Sequence, residues 1–235
     1  MGGRQYSKVL TVILVIIIIA IVGLLGYLGY DYISKTIKTN SANDFVDTFE
    51  KQQASLDEKP IEGGSVTPTT DTSIVDNNTG VVPTIEETSN TSQSSSKKKR
   101  PVYNGFETLG TIEIPKTNVK YPVLAKLSAK ALNTAVCVVY PQDVQLNMIG
   151  VVVIAGHNYR DGRFFSNNKK LSVGDKIYIT DLDGKKVTYI IYNKYETTDN
   201  DTKAYKKNTN GKREIVLSTC TDDAKKRIII EAREQ

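Results

Sequence analysis

The sequence is poor in the side chains that build metal sites and disulfide frameworks. It contains one histidine and two cysteines, which match no zinc-ligand spacing, and two cysteines are too few for a disulfide-stapled fold. No dense acidic cluster predicts a calcium site, and no phosphate-binding glycine loop or internal repeat is visible. We therefore expect no metal, no cofactor and no nucleic-acid partner. The net charge of +5 suits a surface near anionic polymers or lipids, and a solvated basic surface explains it equally well.

Charged side chains are also missing from the run between Val9 and Tyr30. At about 1.5 Å per residue, a helix over this run spans roughly 33 Å, enough for a bilayer core of about 30 Å. A cleavable signal peptide has a shorter apolar run followed by a small-residue cleavage site, which is missing here. The length therefore favours an uncleaved membrane anchor over a signal peptide or a buried core helix. Arg4 and Lys8 before the run favour a cytoplasmic amino terminus.

The composition behind the anchor changes twice. From about Glu58 to Arg100 it is dominated by Ser, Thr, Asn, Gly and Pro, which cannot bury enough apolar surface to offset the entropy of ordering the chain. Before that, Phe45 and Phe49 stand four residues apart and share a helix face, in a short helix or in an extension of the membrane helix. The predicted segments are a cytoplasmic head (1–8), a transmembrane anchor (9–30), a flexible extracytoplasmic stalk with a short helix at about 43–56 (31–104) and a β-barrel domain (105–235).

Strand signals recur throughout the last segment. The predicted strands are Leu109–Ile114, Val119–Leu124, Val138–Tyr140, Gly150–Ala155, Lys176–Thr180, Val187–Tyr192, Glu214–Thr219 and Arg227–Ala232. Asp183 and Gly184 predict a hairpin turn, and Pro122 predicts an edge or a bulge in its strand. Short helices are expected only at 128–134 and around 164–170. Eight short strands in about 130 residues predict an all-β fold, a closed or nearly closed eight-stranded β-barrel.

Reactive side chains stand where apolar strand-like runs end or begin. His157 follows the apolar run that starts at Gly150, Cys220 ends the run that starts at Ile215, and Arg227 begins the next one. An antiparallel hairpin returns Arg227 to the level of Cys220, where its guanidinium can stabilise an oxyanion; the alternative is an arginine that caps an edge strand. A thiol, an imidazole and a guanidinium are the minimum parts for thiol-based acyl transfer. A lone histidine is otherwise most often a satisfied core or surface residue.

Cys137 is the second cysteine and lies in an apolar stretch. A free thiol in such a place behaves as a small hydrophobic side chain. We expect Cys137 to be buried and unpaired, although two cysteines outside a membrane can form a disulfide.

Three motifs resemble the sortase family, and the resemblance covers about residues 105–235. They are Leu217–Cys220 with Arg227, the pair Gly156–His157 at a strand end, and Gly110–Pro115 at the opening of the domain. The resemblance implies a cysteine transpeptidase of Gram-positive bacteria on an eight-stranded β-barrel. Such an enzyme cleaves a C-terminal sorting signal of an exported protein, and an amine of a cell-wall precursor or of another protein resolves the thioester.

The resemblance also implies roles for individual residues. Cys220 is the nucleophile, and His157 protonates the leaving amine and then deprotonates the incoming one. Arg227 stabilises the oxyanion or holds the substrate. Thr219 lines the substrate-binding site; the alternative role for Thr219 is packing within its strand.

The subclass and two other functions stay open. The segment Asn158–Phe165 is similar to B-type and D-type sortases, and no hydrophobic tail or acidic lid of the pilus-polymerising type is visible. The alternative enzyme is a membrane-tethered thiol endopeptidase that uses the same residues with water as acceptor. The alternative without catalysis is a wall-binding barrel on a stalk, for which Cys220→Ala retains full biological function.

Overall fold

The computed structural model describes residues 3–57 and 100–235. The helices are α1 (Gly3–Asp57) and α2 (Ala129–Leu132), with 3₁₀ turns at Pro115–Thr117, Asn168–Lys170 and Lys203–Tyr205. The strands are β1 (Val102–Tyr103), β2 (Phe106–Ile114), β3 (Val119–Leu124), β4 (Val136–Tyr140), β5 (Gly150–Ala155), β6 (Lys176–Asp181), β7 (Lys186–Thr197), β8 (Arg213–Cys220) and β9 (Arg227–Glu234).

Strands β2 to β9 form a closed eight-stranded barrel. The sheet order is β1-β2-β3-β4-β5-β8-β9-β7-β6, and an additional pairing of β2 with β6 closes it. The pairs β3–β4 and β5–β8 are parallel, whereas the other neighbours are antiparallel. The predicted all-β barrel is confirmed, and each predicted strand overlaps an observed one.

Closure of the barrel requires a glycine on β2. Gly110 pairs with Val123 on β3 and with Asp181 on β6. Its φ is +139°, and a Cβ atom there would lie 2.0 Å from the carbonyl oxygen of Thr180. Any side chain at this position would therefore push β2 and β6 apart.

The predicted turn signals also match the structure. The β6–β7 hairpin turns at Asp183 and Gly184, where Gly184 has a φ of +80°. Pro122 lies in β3 opposite Thr111 of β2. The barrel accommodates this proline because the parallel pairing of β3 with β4 begins at the next residue, Val123.

Alternating residues of the strands divide between the barrel interior and an outer cluster. The interior is filled by large apolar side chains, of which Ile112, Ile154, Ile191 and Leu217 are fully buried, each contributing about 1.5–3 kcal/mol relative to an exposed position. The outer cluster consists of Val151, Val153, Ala204, Val216 and Ile229. It lies beneath the segment that joins β7 to β8, so one outer face of the sheet is covered.

Helix α1 is continuous where the sequence analysis separates an anchor over 9–30 from a helix at about 43–56. Its amino-terminal part is long and apolar enough to cross a membrane, and none of the most apolar stretch is buried against protein. Its carboxy-terminal part packs on the barrel through Ala42, Val46 and Phe49. The rings of Phe45 and Phe49 stack at 6.3 Å, so the predicted shared face is confirmed. The predicted stalk sequence at 58–99 lies outside the described residues.

Candidate active site

Three neighbouring strands bring His157, Cys220 and Arg227 to one edge of the barrel. In the parallel β5–β8 pair, Ala155 is in register with Ser218. His157 and Cys220 each follow two residues later, so they lie side by side at the strand ends. In the antiparallel β8–β9 pair, Cys220 and Arg227 are direct partners, as the sequence predicts.

All three side chains face outward from the barrel. The outer cluster includes one residue from each of the three strands, Val153, Val216 and Ile229. The three site residues are separated from these positions by even numbers of residues along the chain, which places them on the same face. Ala204 of the β7–β8 segment packs on that cluster, so this segment forms a wall beside the site.

The thiol of Cys220 is in direct contact with the guanidinium of Arg227. The Nη1 group of Arg227 donates to the Sγ atom of Cys220 at 3.0 Å, and both residues are partly exposed. Within residues 3–57 and 100–235, no carboxylate forms an ion pair with Arg227. A guanidinium has five N–H donors, so Arg227 can hold the thiol and still donate to an oxygen of a bound substrate.

The surroundings of His157 favour the neutral form of its imidazole. Its burial and, secondly, the positive charge of Arg227 lower the pKa of His157 below its ordinary value of 6.5. The influence of Arg227 places the ring within electrostatic range of the guanidinium. A neutral imidazole beside a thiol can accept the thiol proton and later return it to an amine.

A side-chain amide fastens the loop after His157 to the end of β8. Asn158 donates through Nδ2 to the backbone oxygen of Cys220 at 3.0 Å and to Oδ1 of Asp222 at 2.9 Å. Asp222 also pairs with Lys169 at 2.5 Å. These contacts fix the spacing between the two strand ends that carry the thiol and the imidazole.

Gly156 explains why a glycine precedes the histidine. A Cβ atom at this position would lie 2.7 Å from the ring of Phe165 and 2.9 Å from Cγ1 of Val136. The backbone amide of Phe165 also donates to the carbonyl oxygen of His157 at 3.1 Å. The fully buried Phe165 therefore sets the backbone position of His157.

The structure does not bring the side chain of Thr219 to the site surface. It is 1% exposed, lies one residue from Cys220 and therefore points into the barrel, and its hydroxyl has no hydrogen-bond partner among the described residues. The side chain of Thr219 is therefore not exposed where a bound substrate could contact it, as the predicted substrate-lining role would require.

Cys137 is a free, fully buried cysteine in the barrel interior. Burial raises the pKa of its thiol to about 12. Cys220 is also free, so the prediction that Cys137 is buried and unpaired is confirmed. Only one of the two thiols is accessible to a substrate.

Sequence reasoning missed the roles of three polar residues around His157, namely Asn133, Asn158 and Tyr159. Asn158 follows the histidine directly, and its position in a polar loop was the only signal for it. Asn133 lies 3.0 Å from Nε2 of His157 and accepts from the hydroxyl of Tyr159. No local pattern links Asn133 to the histidine, because only the fold brings it there.

No metal-ion site is found in the part of the chain that the structure describes. There, no group of three or more His, Cys, Asp or Glu side chains is arranged to hold a metal ion.

Comparison with known proteins identifies a family. A sequence profile described as the Sortase domain matches residues 112–235. A solved structure of a sortase D5 transpeptidase from Clostridium perfringens is 27% identical, with a TM-score of 0.50, over 57% of this chain and 82% of that chain. No curated protein matches the chain.

Other solved sortases share the fold at lower identity. Sortase A from Corynebacterium diphtheriae, in a lid mutant, is 22% identical with a TM-score of 0.51, over 60% of this chain and 74% of that one. Sortase C1 from Streptococcus agalactiae is 20% identical with a TM-score of 0.50, over 55% and 69% of the two chains. Likenesses to types A, C and D at similar scores do not distinguish a subclass.

Proposed function

This chain belongs to the sortase family, and we propose that it is a membrane-anchored cysteine transpeptidase of a Gram-positive cell surface. It cleaves a C-terminal sorting signal of exported proteins and transfers each protein to an amine of the cell wall. The observation that carries the proposal is the contact of 3.0 Å between the Cys220 thiol and the Arg227 guanidinium, on the outer face beside His157.

The acylation step uses all three side chains. His157 accepts the proton of the Cys220 thiol, and the thiolate adds to the carbonyl carbon of the scissile peptide bond. The N–H groups of Arg227 donate to the oxyanion that forms. As this intermediate collapses, the C–N bond breaks, the protonated His157 gives its proton to the leaving amine, and a thioester on Cys220 remains.

The transfer step runs through the same groups in reverse. The incoming amine adds to the thioester carbonyl, and neutral His157 removes its proton. Arg227 again stabilises the oxyanion, the C–S bond breaks, and the thiolate of Cys220 regains its proton from His157. The net result exchanges one amide for another and leaves the enzyme unchanged.

The apolar part of α1 supports the proposed location. Arg4 and Lys8 precede the apolar run, which favours an amino terminus in the cytoplasm and a barrel outside the cell. The proposed anchor is 9–30, the proposed stalk lies within 31–104, and the proposed catalytic domain is 105–235. An anchored enzyme of this kind meets its substrates at the surface where they are exported.

The experiment uses the full-length protein in nanodiscs with a library of peptides of the Leu-Pro-x-Thr-Gly kind. Each peptide is incubated with and without a panel of amines, and the products are identified by mass spectrometry. We expect an amine-linked product that depends on Cys220 and persists in Cys137→Ala. Cleavage with water as the acceptor under every amine would indicate a thiol endopeptidase instead. A Cys220→Ala protein that retains full biological function would indicate a wall-binding barrel.

A further inference from the structure

The side-chain oxygen of Asn133 lies within hydrogen-bond distance of two other side chains. It lies 3.0 Å from Nε2 of His157, and the hydroxyl of Tyr159 donates to it at 2.8 Å. Asn133 is the residue that caps the carboxy-terminal end of α2. A residue outside the three strands of the site therefore contacts the catalytic imidazole directly.

This arrangement determines where the imidazole carries its proton. A tyrosine hydroxyl has one proton, and Tyr159 gives it to the Asn133 oxygen, which can only accept. Nε2 of His157 must then carry a hydrogen to bond to the same oxygen, so Nδ1 is the basic nitrogen of the neutral ring. We propose that Asn133 and Tyr159 are positioning residues, which fix the orientation and the Nε2–H tautomer of His157 for the proton transfers of the proposed function, on which this inference rests.

Tyr159 is itself held on several sides. Its ring lies 4.8 Å from the ring of His157 and 5.7 Å from that of Phe164. The guanidinium of Arg163 stacks over it at 4.7 Å, and its backbone amide donates to Oγ of the buried Ser166 at 3.1 Å. The hydroxyl of Tyr159 is therefore presented to Asn133 by a packed loop.

An ion pair keeps Arg163 over the tyrosine ring. Arg163 contacts Oδ2 of Asp161 through Nε at 2.8 Å and through Nη2 at 2.7 Å. Burial alone would raise the pKa of Asp161, but the hydrogen bonds from Arg163 outweigh it and lower the pKa, so the carboxylate is charged at neutral pH. Lys35 of α1 lies 4.0 Å from the same carboxylate, which links the loop to the membrane-proximal helix.

The backbone of this loop is strained at an aromatic residue. Phe164 has a φ of +49°, a left-handed conformation that is rare for a bulky side chain and persists only where surrounding contacts impose it. Its ring packs at 5.0 Å against Tyr121 of β3. The strain and the packing together support a loop built to hold one conformation beside His157.

The shared amide matters most when the ring is charged. Each proton that His157 takes from the thiol or from the incoming amine creates an imidazolium, and its Nε2–H bond to Asn133 then becomes charge-assisted. Without the amide oxygen, the ring can turn and present either nitrogen to the thiol. General acid–base catalysis by a positioned side chain contributes roughly 10²–10⁴-fold. We expect the loss of this supporting contact to remove only part of that contribution, so kcat should fall by about 10- to 100-fold and KM should stay within about threefold.

The test measures the tautomer directly, because His157 is the only histidine in the chain. Full-length protein in nanodiscs, labelled with ¹⁵N-histidine and purified with a tag that contains no histidine, gives one pair of ring-nitrogen signals. In the wild type we expect a protonated Nε2 and an unprotonated Nδ1 at pH above the pKa. Asn133→Ala and Tyr159→Phe should give mixed tautomers and a lower kcat. Asn133→Asp should keep the Nε2–H tautomer, and its carboxylate should raise the pKa of His157.

A second tyrosine–asparagine pair supplies the matched control. The hydroxyl of Tyr189 donates to Oδ1 of Asn147 at 3.0 Å, and Tyr189 lies opposite Glu234, at the far end of β9 from Arg227. Tyr189→Phe removes an equivalent bond and should leave the tautomer unchanged.

Two results would overturn the inference. The first is an Nδ1–H tautomer in the wild type, and the second is an unchanged tautomer and kcat in both Asn133→Ala and Tyr159→Phe. The tautomer is measured without substrate. A wild type that transfers no peptide to any amine would thus count against the proposed function, while the ring-nitrogen signals would still decide this inference.

Discussion

At each end of the β8–β9 ladder, an arginine of β9 lies opposite a residue of β8, but the β8 residue differs between the two ends. Arg233 is opposite Glu214 at one end, and Arg227 is opposite Cys220 at the other. All four side chains lie on the same face of the sheet, because their spacings along each strand are even. The two pairs are about 20 Å apart at roughly 3.3 Å per residue.

The Glu214 end is a closed network of charges. The Glu214 carboxylate is fully buried and pairs with Lys207 at 2.7 Å and with Nε of Arg233 at 2.7 Å. Tyr192 donates to it at 2.8 Å. Burial alone would raise the pKa of Glu214, but these hydrogen bonds outweigh it and lower the pKa. Tyr192, Lys207 and Arg233 all donate to the Glu214 carboxylate, so this end stabilises the fold.

The Cys220 end has the same antiparallel strand pairing, but the positive charge of Arg227 is not neutralised by a described carboxylate. Arg227 contacts a thiol, and no described carboxylate pairs with it. A guanidinium without a carboxylate keeps donors for an oxyanion that exists only during the reaction. The partner opposite the arginine, rather than the strand pairing, therefore separates the proposed catalytic site from a site that stabilises the fold.

The largest expected effect comes from making the Cys220 end resemble the other. Cys220→Asp should abolish peptide transfer because the thiol nucleophile is gone. The new carboxylate can pair with Arg227, which should stabilise the fold by up to about 1 kcal/mol. Product mass spectrometry and denaturant unfolding measure the two effects. Residual transfer by Cys220→Asp, or an inactive Cys137→Ala control, would show that the nucleophile is assigned wrongly.

The two arginines should differ strongly in their effect on rate. Arg227→Ala should lower kcat/KM by about 10²–10³-fold, as expected for the loss of an oxyanion donor. Arg233→Ala, the matched change at the other end, should stay within about threefold of the wild type, since distant sites act independently. Steady-state kinetics on one peptide and one amine compare them. Equal losses in both variants would remove the functional distinction between the two ends.

The free energy of unfolding should depend more on the Glu214 end than on the Cys220 end, the reverse of the expected effects on rate. Glu214→Gln removes the charge from a buried carboxylate that holds two cations, and we expect a loss of about 1–3 kcal/mol in the free energy of unfolding. Arg227→Ala should change that free energy by less than about 0.5 kcal/mol, because its side chain is partly exposed at the barrel edge. Urea denaturation followed by circular dichroism checks both values. A larger loss for Arg227→Ala than for Glu214→Gln would reverse the assignment.

The smallest expected effect is electrostatic. The charge of Arg227 is the second cause, after burial, of the lowered pKa of His157. Arg227→Ala should therefore raise this pKa, while the burial that remains keeps it below the ordinary value. Arg233→Ala should leave it unchanged. The NMR titration of the single histidine measures all three proteins, and an equal pKa in all of them would place Arg227 outside electrostatic range of the ring.

Much of the barrel could be predicted because its information is local. Alternating apolar residues predict the strands, the Asp183–Gly184 pair predicts the β6–β7 hairpin, and the Cys220–Arg227 spacing predicts a hairpin with these residues opposite each other. Each of these features depends on neighbours in the sequence. The order of the strands across the barrel depends instead on contacts between distant segments, and the sequence offers no local signal for it.

The rest of the site depends on non-local contacts. The parallel pairing of Ala155 with Ser218 places His157 beside Cys220, and no periodicity in either strand specifies that neighbour. Asn133 approaches His157 only because α2 packs against the barrel. Glu214 looks in the sequence like an exposed charge at the start of a strand, and its burial depends on Lys207 in the segment that folds over the sheet.

The most direct measurement is the rate and position of acyl-enzyme formation. Full-length wild type, Arg227→Ala and Arg233→Ala proteins are mixed with the same reactive peptide, quenched in acid at short times and analysed by intact mass and peptide mapping. The account predicts a thioester on Cys220 that forms at similar rates in the wild type and Arg233→Ala, and about 10²–10³-fold more slowly in Arg227→Ala. An adduct on Cys137, or equal rates in the two arginine variants, would contradict it.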